Sequence, residues 1–290
     1  MSNWQQWTQS LRRWLPGAAG LPNIPDALWQ TTVQEHRFLQ QLTAEELHKL
    51  RALCAYFLQR KEFSGANGLE ITDAMAMTVA VQACVLILHW GEPAKAIRWY
   101  DGFVGIILHP GDMRAQRTQR DDAGVLHHYT EDLMGEAMER GPVTLSWDAI
   151  VRDEVLDGHP ERGPASNVVI HEFAHKLDMA NGGADGFPPL PLGFMGLHSA
   201  AEAKQLWATT WLAAYQNFCD AVAAHQRFGQ PKPWLDMYAA TNPVEFFAVA
   251  CEGYWINPTQ FAQAFPTLQP LLDAMFQRTA KTNPTSAATL

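Results

Sequence analysis

Two histidines and a glutamate in one short stretch carry the clearest chemistry of this chain. His171, Glu172 and His175 form a His-Glu-x-x-His pattern. If the stretch is helical, residues four apart share a face, so both imidazoles can bind one zinc ion at roughly 2.0–2.1 Å. Glu172 then lies one step round the helix, beside the ion, where its carboxylate can take a proton from water. The pattern therefore predicts a zinc-binding helix with hydrolytic chemistry.

The residues around this pattern fit such a helix. Asp178 follows His171 by seven residues and returns to the histidine face, where it is expected to accept the spare N–H of a ligating histidine. An alternative is a pair of ordinary helix histidines, satisfied by solvent or a backbone carbonyl. The apolar residues gather on a different side of the helix and can be buried. They are Ile170, Phe173, Ala174 and Leu177.

A catalytic zinc site needs a third protein ligand, and residue spacing offers several. Glu245 follows Asn242 and Pro243 at the start of a predicted helix, and Glu252 lies seven residues later on the same face. Asn at the N-cap, Pro at N1 and Glu at N3 is also a good capping arrangement, so Glu245 has a structural alternative. Glu252 and then His198 are the rival ligands. Spacing alone ranks Glu245 first and leaves the choice open.

The elements that position these residues are mostly helical. Ser166 or Asn167 is expected to cap the metal helix, and 181–183 to end it. The segment 183–198 is rich in Gly and Pro and is interpreted either as a lid over the cleft or as a plain surface connection. Other helices are predicted from Asp26 through Phe38, after a capping box at Thr43, from Thr72 to His89, and from Ala201 to Arg227.

Short β-type runs between Ile97 and Trp147 predict a small sheet. The best strand candidates are 103–108, 125–129 and 143–147, and the charged segment 112–122 is expected to be an exposed loop. The fold class is therefore α+β, mostly helical, with a small sheet beside the metal-binding helix. Such layering leaves a substrate groove along a strand edge.

Composition excludes several classes of protein. A net charge of −9 over 290 residues, without a run of Lys and Arg, argues against nucleic acid and against an anionic membrane surface. The first residues lack the pattern of a secretory signal, and the longest apolar stretch, 74–88, is too short to span a membrane. The four scattered cysteines favour buried thiols over disulfides. We expect a cytoplasmic protein.

Four segments of the chain have a recognisable combination of residues: 63–73, 141–147, 171–178 and 238–249. Together they resemble the Mlc titration factor A family of zinc-dependent peptidases. The resemblance implies a zincin-like fold and one zinc ion per chain, bound by His171, His175 and Glu245. It also implies that Glu172 is the catalytic base and that Tyr238, seven residues before the third ligand, assists. Members are described as cytoplasmic peptidases with aminopeptidase activity that also bind the glucose-responsive repressor Mlc.

The function expected from the residues and the resemblance is peptide hydrolysis by a zinc-bound water that Glu172 activates. Tyr238 is expected to donate a hydrogen bond to the oxyanion, its alternative being a buried tyrosine with a backbone partner. One zinc peptidase domain is expected over 26–278, preceded by an arm and linker, 1–25, and followed by a flexible tail, 279–290. The alternatives are a regulatory protein that acts mainly by binding a transcriptional repressor, and a structural zinc site in a non-enzyme.

Overall fold

The computed structural model describes residues 20–120, 126–138, 141–157 and 166–278. Most of the predicted N-terminal arm and all of the predicted C-terminal tail therefore lie outside the described residues. The described helices are α1 Asp26–Glu35, α2 Ala44–Arg60, α3 Asp73–Val85, α4 Pro93–Ala96, α5 Trp147–Asp157, α6 Val168–Asp178, α7 Ala200–Phe228, α8 Pro243–Ile256, α9 Pro258–Ala264 and α10 Gln269–Met275. Short 3-10 turns cover Arg37–Gln41, Ile97–Tyr100, Met179–Asn181, Phe194–Gly196 and Met237–Ala240.

The predicted caps at Thr43 and Asn242 are present, but two helices end early. The prediction of Asp26 as an N-cap was wrong, because Asp26 is the first residue of α1 and Pro25 precedes it without a side-chain cap. The capping box at Thr43 is present, with the Glu46 amide donating to Thr43 Oγ1 at 3.2 Å and the Thr43 amide donating to Glu46 Oε2 at 2.7 Å. α1 ends at Glu35 because His36 adopts an extended backbone. α3 starts after Thr72 but ends at Val85, because the next amides bond to carbonyls three residues back and tighten the turn.

The main sheet is small and mixed. Its strands are β1 Glu62–Gly65, β2 Gly105–His109, β5 Gly135–Ala137 and β6 Val143–Ser146. The strand order is β1-β2-β6-β5, in which β2 is parallel to both β1 and β6, and β5 pairs antiparallel with β6. β5 is the edge strand next to α6, so the predicted small sheet beside this helix is confirmed.

A separate two-stranded hairpin replaces the predicted exposed loop. β3 Met113–Arg120 pairs antiparallel with β4 Leu126–Leu133 over eight residue pairs. The loop prediction for 112–122 was therefore wrong over β3. The prediction relied on an alternating apolar pattern to identify strands, and this segment has no such pattern.

The core surrounds the apolar side of α6. Ile170, Phe173, Ala174 and Leu177 are all fully buried, as the helical spacing predicts. Phe173 contacts the rings of Phe57, Tyr100 and Phe103, with centroid separations of 5.1–5.8 Å. These contacts orient α6 and turn its histidine face away from the core.

A second aromatic cluster joins α7 to α8. Trp207 and Trp211 are fully buried and stack with centroids 4.8 Å apart, and both contact Phe247 of α8. Trp207, Trp211 and Phe218 of α7 are thus core residues, whereas Leu212 and Phe228 are exposed. Among the described residues, no helix combines the length and apolar character that crossing a membrane requires.

Candidate metal centre

The N-terminus of α6 is held by three polar side chains. The Ile170 amide donates to Asn167 Oδ1 at 2.8 Å, so Asn167, one of the two predicted caps, is the N-cap. The Val168 amide donates to Asp153 Oδ2 at 2.8 Å, and the Asn167 amide donates to Glu252 Oε2 at 2.5 Å. These bonds satisfy amides that have no partner within the helix and fix its start.

Three side-chain atoms from two distant segments converge beside α6. His171 Nε2 lies 3.1 Å from His175 Nε2 and 3.1 Å from Glu245 Oε2, and His175 Nε2 lies 3.4 Å from the same oxygen. Ligands at the zinc distances of about 2.0–2.1 Å on a tetrahedral ion are separated by about 3.3 Å. The three donors therefore have the mutual spacing that one tetrahedral cation requires, and their chemistry fits zinc.

Glu245 reaches this cluster because another residue caps its helix. Asn242 Oδ1 accepts from the Val244 amide at 2.9 Å and from the Glu245 amide at 3.0 Å. The carboxylate of Glu245 is therefore left to face the histidines. Burial by itself would raise the pKa of Glu245, but hydrogen bonds to His171 and His175 hold this pKa well below its usual range.

Glu252 lies behind His171 and orients it. Glu252 Oε1 is 2.8 Å from His171 Nδ1, which leaves Nε2 of the same ring for the cluster. The pKa of His171 is raised well above its ordinary value, since hydrogen bonds to Glu245 and Glu252 outweigh the lowering effect of burial. The structure thus places Glu252 beside the ring nitrogen opposite the cluster, and not among the three converging donors.

The Glu252 carboxylate is itself part of a longer buried network that sequence reasoning missed. Asn167 Nδ2 donates to Gln82 Oε1 at 2.5 Å, and Gln82 Nε2 donates to the Thr78 carbonyl at 3.0 Å within α3. Gln82 is only 2% exposed, so it connects the core helix to the support of His171. Its only signal in the sequence is that Gln82, like Thr78, interrupts an apolar stretch.

Two other sequence candidates lie apart from the three donors. His198 is exposed and is not in the cluster. Asp178 is fully buried, but its Oδ2 accepts from the Gly186 amide at 2.8 Å, and its Oδ1 has no hydrogen-bond partner. His175 Nδ1 is also buried without a partner, so the hydrogen bond expected between Asp178 and a ligating histidine is absent.

The segment 183–198 is fixed to the body of the protein at Gly186. Besides the bond to Asp178, the Gly186 carbonyl accepts from Trp207 Nε1 at 3.0 Å. Gly186 has φ +78°, and a Cβ atom on it would lie 2.7 Å from the Pro243 carbonyl oxygen, so only glycine fits. This anchor favours a fixed connection at Gly186, while the lid interpretation stays a prediction.

Glu172 lies between the donor cluster and the edge strand. It is 4% exposed, and a Cβ atom built on Gly135 of β5 would lie 2.5 Å from its Oε1. Burial, the largest effect, raises the pKa of Glu172 to about 7, although the neighbouring His171 lowers it. Gly135 is a second position that the sequence analysis missed, because a glycine in a three-residue strand has no distinctive spacing.

Tyr238 borders the cluster from the other side. Its ring centroid is 6.2 Å from that of His171, and the residue is 45% exposed. Its backbone amide donates to Asp236 Oδ1 at 2.8 Å, which fixes the turn that precedes α8. The alternative of a buried tyrosine is therefore wrong.

Comparisons with known proteins give a family match over most of the chain. The family described as "Glucose-regulated metallo-peptidase M90" matches residues 7–277. The chain is 33% identical to the Mlc titration factor A of Klebsiella pneumoniae subsp. pneumoniae over 231 residues, which are 79% of this chain and 78% of the relative. It is 31% identical to that of Salmonella arizonae over 257 residues, which are 88% of this chain and 92% of the relative.

Glu252→Gln should weaken zinc binding about 10- to 100-fold, because the amide is a poorer acceptor for His171 Nδ1–H and leaves the ring less fixed. Competition with a chromophoric chelator measures this affinity. Glu202→Gln, an exposed acid in the first turn of α7, is the matched control and should bind zinc like the parent. An unchanged affinity in Glu252→Gln would show that this carboxylate does not support the metal site.

Proposed function

Because this chain belongs to the glucose-regulated metallopeptidase family M90, we propose that it is a zinc-dependent peptidase whose ligands are His171, His175 and Glu245. The observation that carries the proposal is the tetrahedral spacing of these three donors beside a separate buried carboxylate, Glu172. Two histidines and one glutamate would leave a coordination position open, as catalytic zinc sites do. The mostly helical arrangement around a small mixed sheet supports a zincin-like fold.

The bound zinc would supply Lewis acidity, lowering the pKa of water and polarising the scissile carbonyl. Glu172 is the proposed general base, and it returns the proton to the departing amine. Its burial supports this role, because desolvation raises the pKa of this carboxyl group above that of an exposed glutamate and makes it a stronger base. Glu172 thus has an environment different from that of Glu245, whose pKa is lowered.

The edge of β5 is the proposed docking line for the peptide. Within the described sheet, β5 pairs with β6 on one side only, so the backbone groups of its other edge can bond to an extended substrate. Gly135 brings this strand against Glu172 without a side chain between them. An added substrate strand would therefore lie next to the base and the metal donors.

Finer aspects of the function rest on the family resemblance. We propose aminopeptidase action on peptides, as the family resemblance implies. We propose cytoplasmic action, for which the free thiols of the four cysteines are suited.

Glu172→Gln should reduce kcat for short peptide amides by at least about 10²-fold, since the amide has the same shape but cannot take a proton. Zinc content, measured by elemental analysis, should equal that of the parent because position 172 supplies no ligand. Hydrolysis should also stop with a chelator and return with added zinc. Near-native turnover by metal-loaded Glu172→Gln would remove Glu172 from the role of base.

Tyr238→Phe should lower kcat about 10- to 100-fold with little change in KM, because the lost hydroxyl would donate to the oxyanion only as charge develops. Steady-state kinetics on one peptide substrate separate the two constants. Tyr56→Phe, on α2 in the part-buried periphery of the core, is the matched control. Equal kcat values for Tyr238→Phe and the parent would exclude an oxyanion role.

A second function is favoured by the name of the relatives, Mlc titration factor A. We propose that the chain also binds a transcriptional repressor of the Mlc type through a surface separate from the zinc site. Gel filtration of the purified chain with such a repressor should give a complex, and the complex should persist with Glu172→Gln. Absence of a complex at micromolar concentrations of both proteins would contradict this binding role.

A further inference from the structure

A groove outside the metal cluster is lined by basic and aromatic side chains. Its volume is about 920 Å³, and it lies between the segment that contains α4 and the C-terminal end of α6. The lining residues that matter here are Lys95, Arg98, Trp99, Asp101, Phe103 and Lys176.

The charge of this groove is opposite to that of the chain. Its described lining has three basic side chains and one acidic one, whereas the whole chain has a net charge of −9. The acid, Asp101, is already paired with Arg60 at 2.8 Å and with Arg98 at 3.7 Å. The groove therefore keeps a local excess of positive charge, which attracts anions to this part of an otherwise acidic protein.

The ammonium groups of two lysines lie against the ring of Phe103, which lines the groove. The Nζ atoms of Lys61 and Lys176 lie 3.7 and 4.6 Å from the ring centroid of Phe103. Lys61 donates to the carbonyls of Tyr100 and Phe103, and it is 5% exposed. Burial lowers the pKa of Lys61 to about 8, so this lysine is mainly protonated at neutral pH. Both ammonium groups are fixed by packing and add positive charge beneath the exposed cations of the groove.

We propose that this groove binds an acidic segment of a polypeptide, with its carboxylates near Lys95 and Arg98. Lys95 and Arg98 are two separate exposed cations, and an acidic segment offers more than one carboxylate to pair with them. Trp99 is 39% exposed and offers an apolar ring for the stem of a glutamate or a neighbouring side chain. The size of the groove also matches a few residues of extended chain and exceeds what a small anion fills.

The groove lies close to the strand at which we propose that the substrate binds. The role that follows for the groove rests on the proposed peptidase function. Lys176 follows Glu172 by one helical turn, about 6 Å along the axis. Its ammonium donates to the carbonyls of Met138 and Gly141, immediately after β5. A polypeptide with an acidic segment in the groove would therefore be held next to the end of the edge strand, and such polypeptides would be selected as substrates.

Fluorescence anisotropy with the full-length Glu172→Gln chain tests the binding itself. Two labelled, C-terminally amidated peptides are compared, one with four consecutive Glu residues and one with four Gln residues. The Glu peptide should bind at least about 10-fold more tightly at low ionic strength. The difference should shrink at about 0.5 M salt, where the screening length falls to roughly 4 Å. The double variant Lys95→Ala, Arg98→Ala should lose this preference.

The matched control is Lys204→Ala with Lys232→Ala, which removes two exposed positive charges elsewhere and changes net charge equally. Equal loss in both double variants, or equal affinity for the Glu and Gln peptides, would overturn the proposal. Binding only when the peptide has a free C-terminal carboxylate would also overturn it, since the groove would then recognise a chain end. The assay needs no hydrolysis, so absence of peptidase activity in the parent would contradict the proposed function without changing this result.

Discussion

The clamping of one imidazole by two carboxylates is the interaction on which the site depends. Glu252 lies 2.8 Å from Nδ1 of His171, and Glu245 lies 3.1 Å from Nε2. The ring therefore has one orientation, and one nitrogen is directed at the space shared with His175. Because both glutamates belong to α8, this clamp also determines how α8 lies on α6. Buried carboxylates are costly when unpaired, so few other arrangements of the two helices are tolerated.

Apolar packing stabilises the positions of α6 and α8, and so the contacts of His171 with the two glutamates. α8 is buried along nearly its whole length, and Phe246 and Phe247 contact the tryptophans of α7. On the other helix, Phe173 contacts three aromatic rings of the core. The hydrophobic effect thus stabilises the packing of α6 and α8 in the core, while their polar residues determine how the two helices are aligned. The hydrogen bond between Asn167 and Gln82 connects these polar residues to α3.

The edge strand β5 borders the candidate site on the side of Glu172. Gly135 lies against Glu172, and Lys176 donates to two carbonyls just beyond the same strand. α6 therefore contributes donors to the metal cluster, a buried carboxyl group beside it and a cation that holds the end of β5. The basic groove begins where this cation lies, so metal cluster, strand edge and groove follow one another along a single helix.

Helical periodicity and capping act over three to seven residues. The sequence alone therefore predicted the helix α6, its apolar side and the helix starts at Thr43, Thr72 and Asn242. The same spacing predicted that His171, Glu172 and His175 lie close together on α6. It could not separate Glu245 from Glu252, since both occupy the same face of α8. Only tertiary packing decided this: α8 crosses α6 so that Glu245 meets the ring nitrogens and Glu252 lies behind His171. The position of the edge strand beside Glu172 was likewise decided by tertiary packing, because Gly135 and Glu172 are far apart in the sequence.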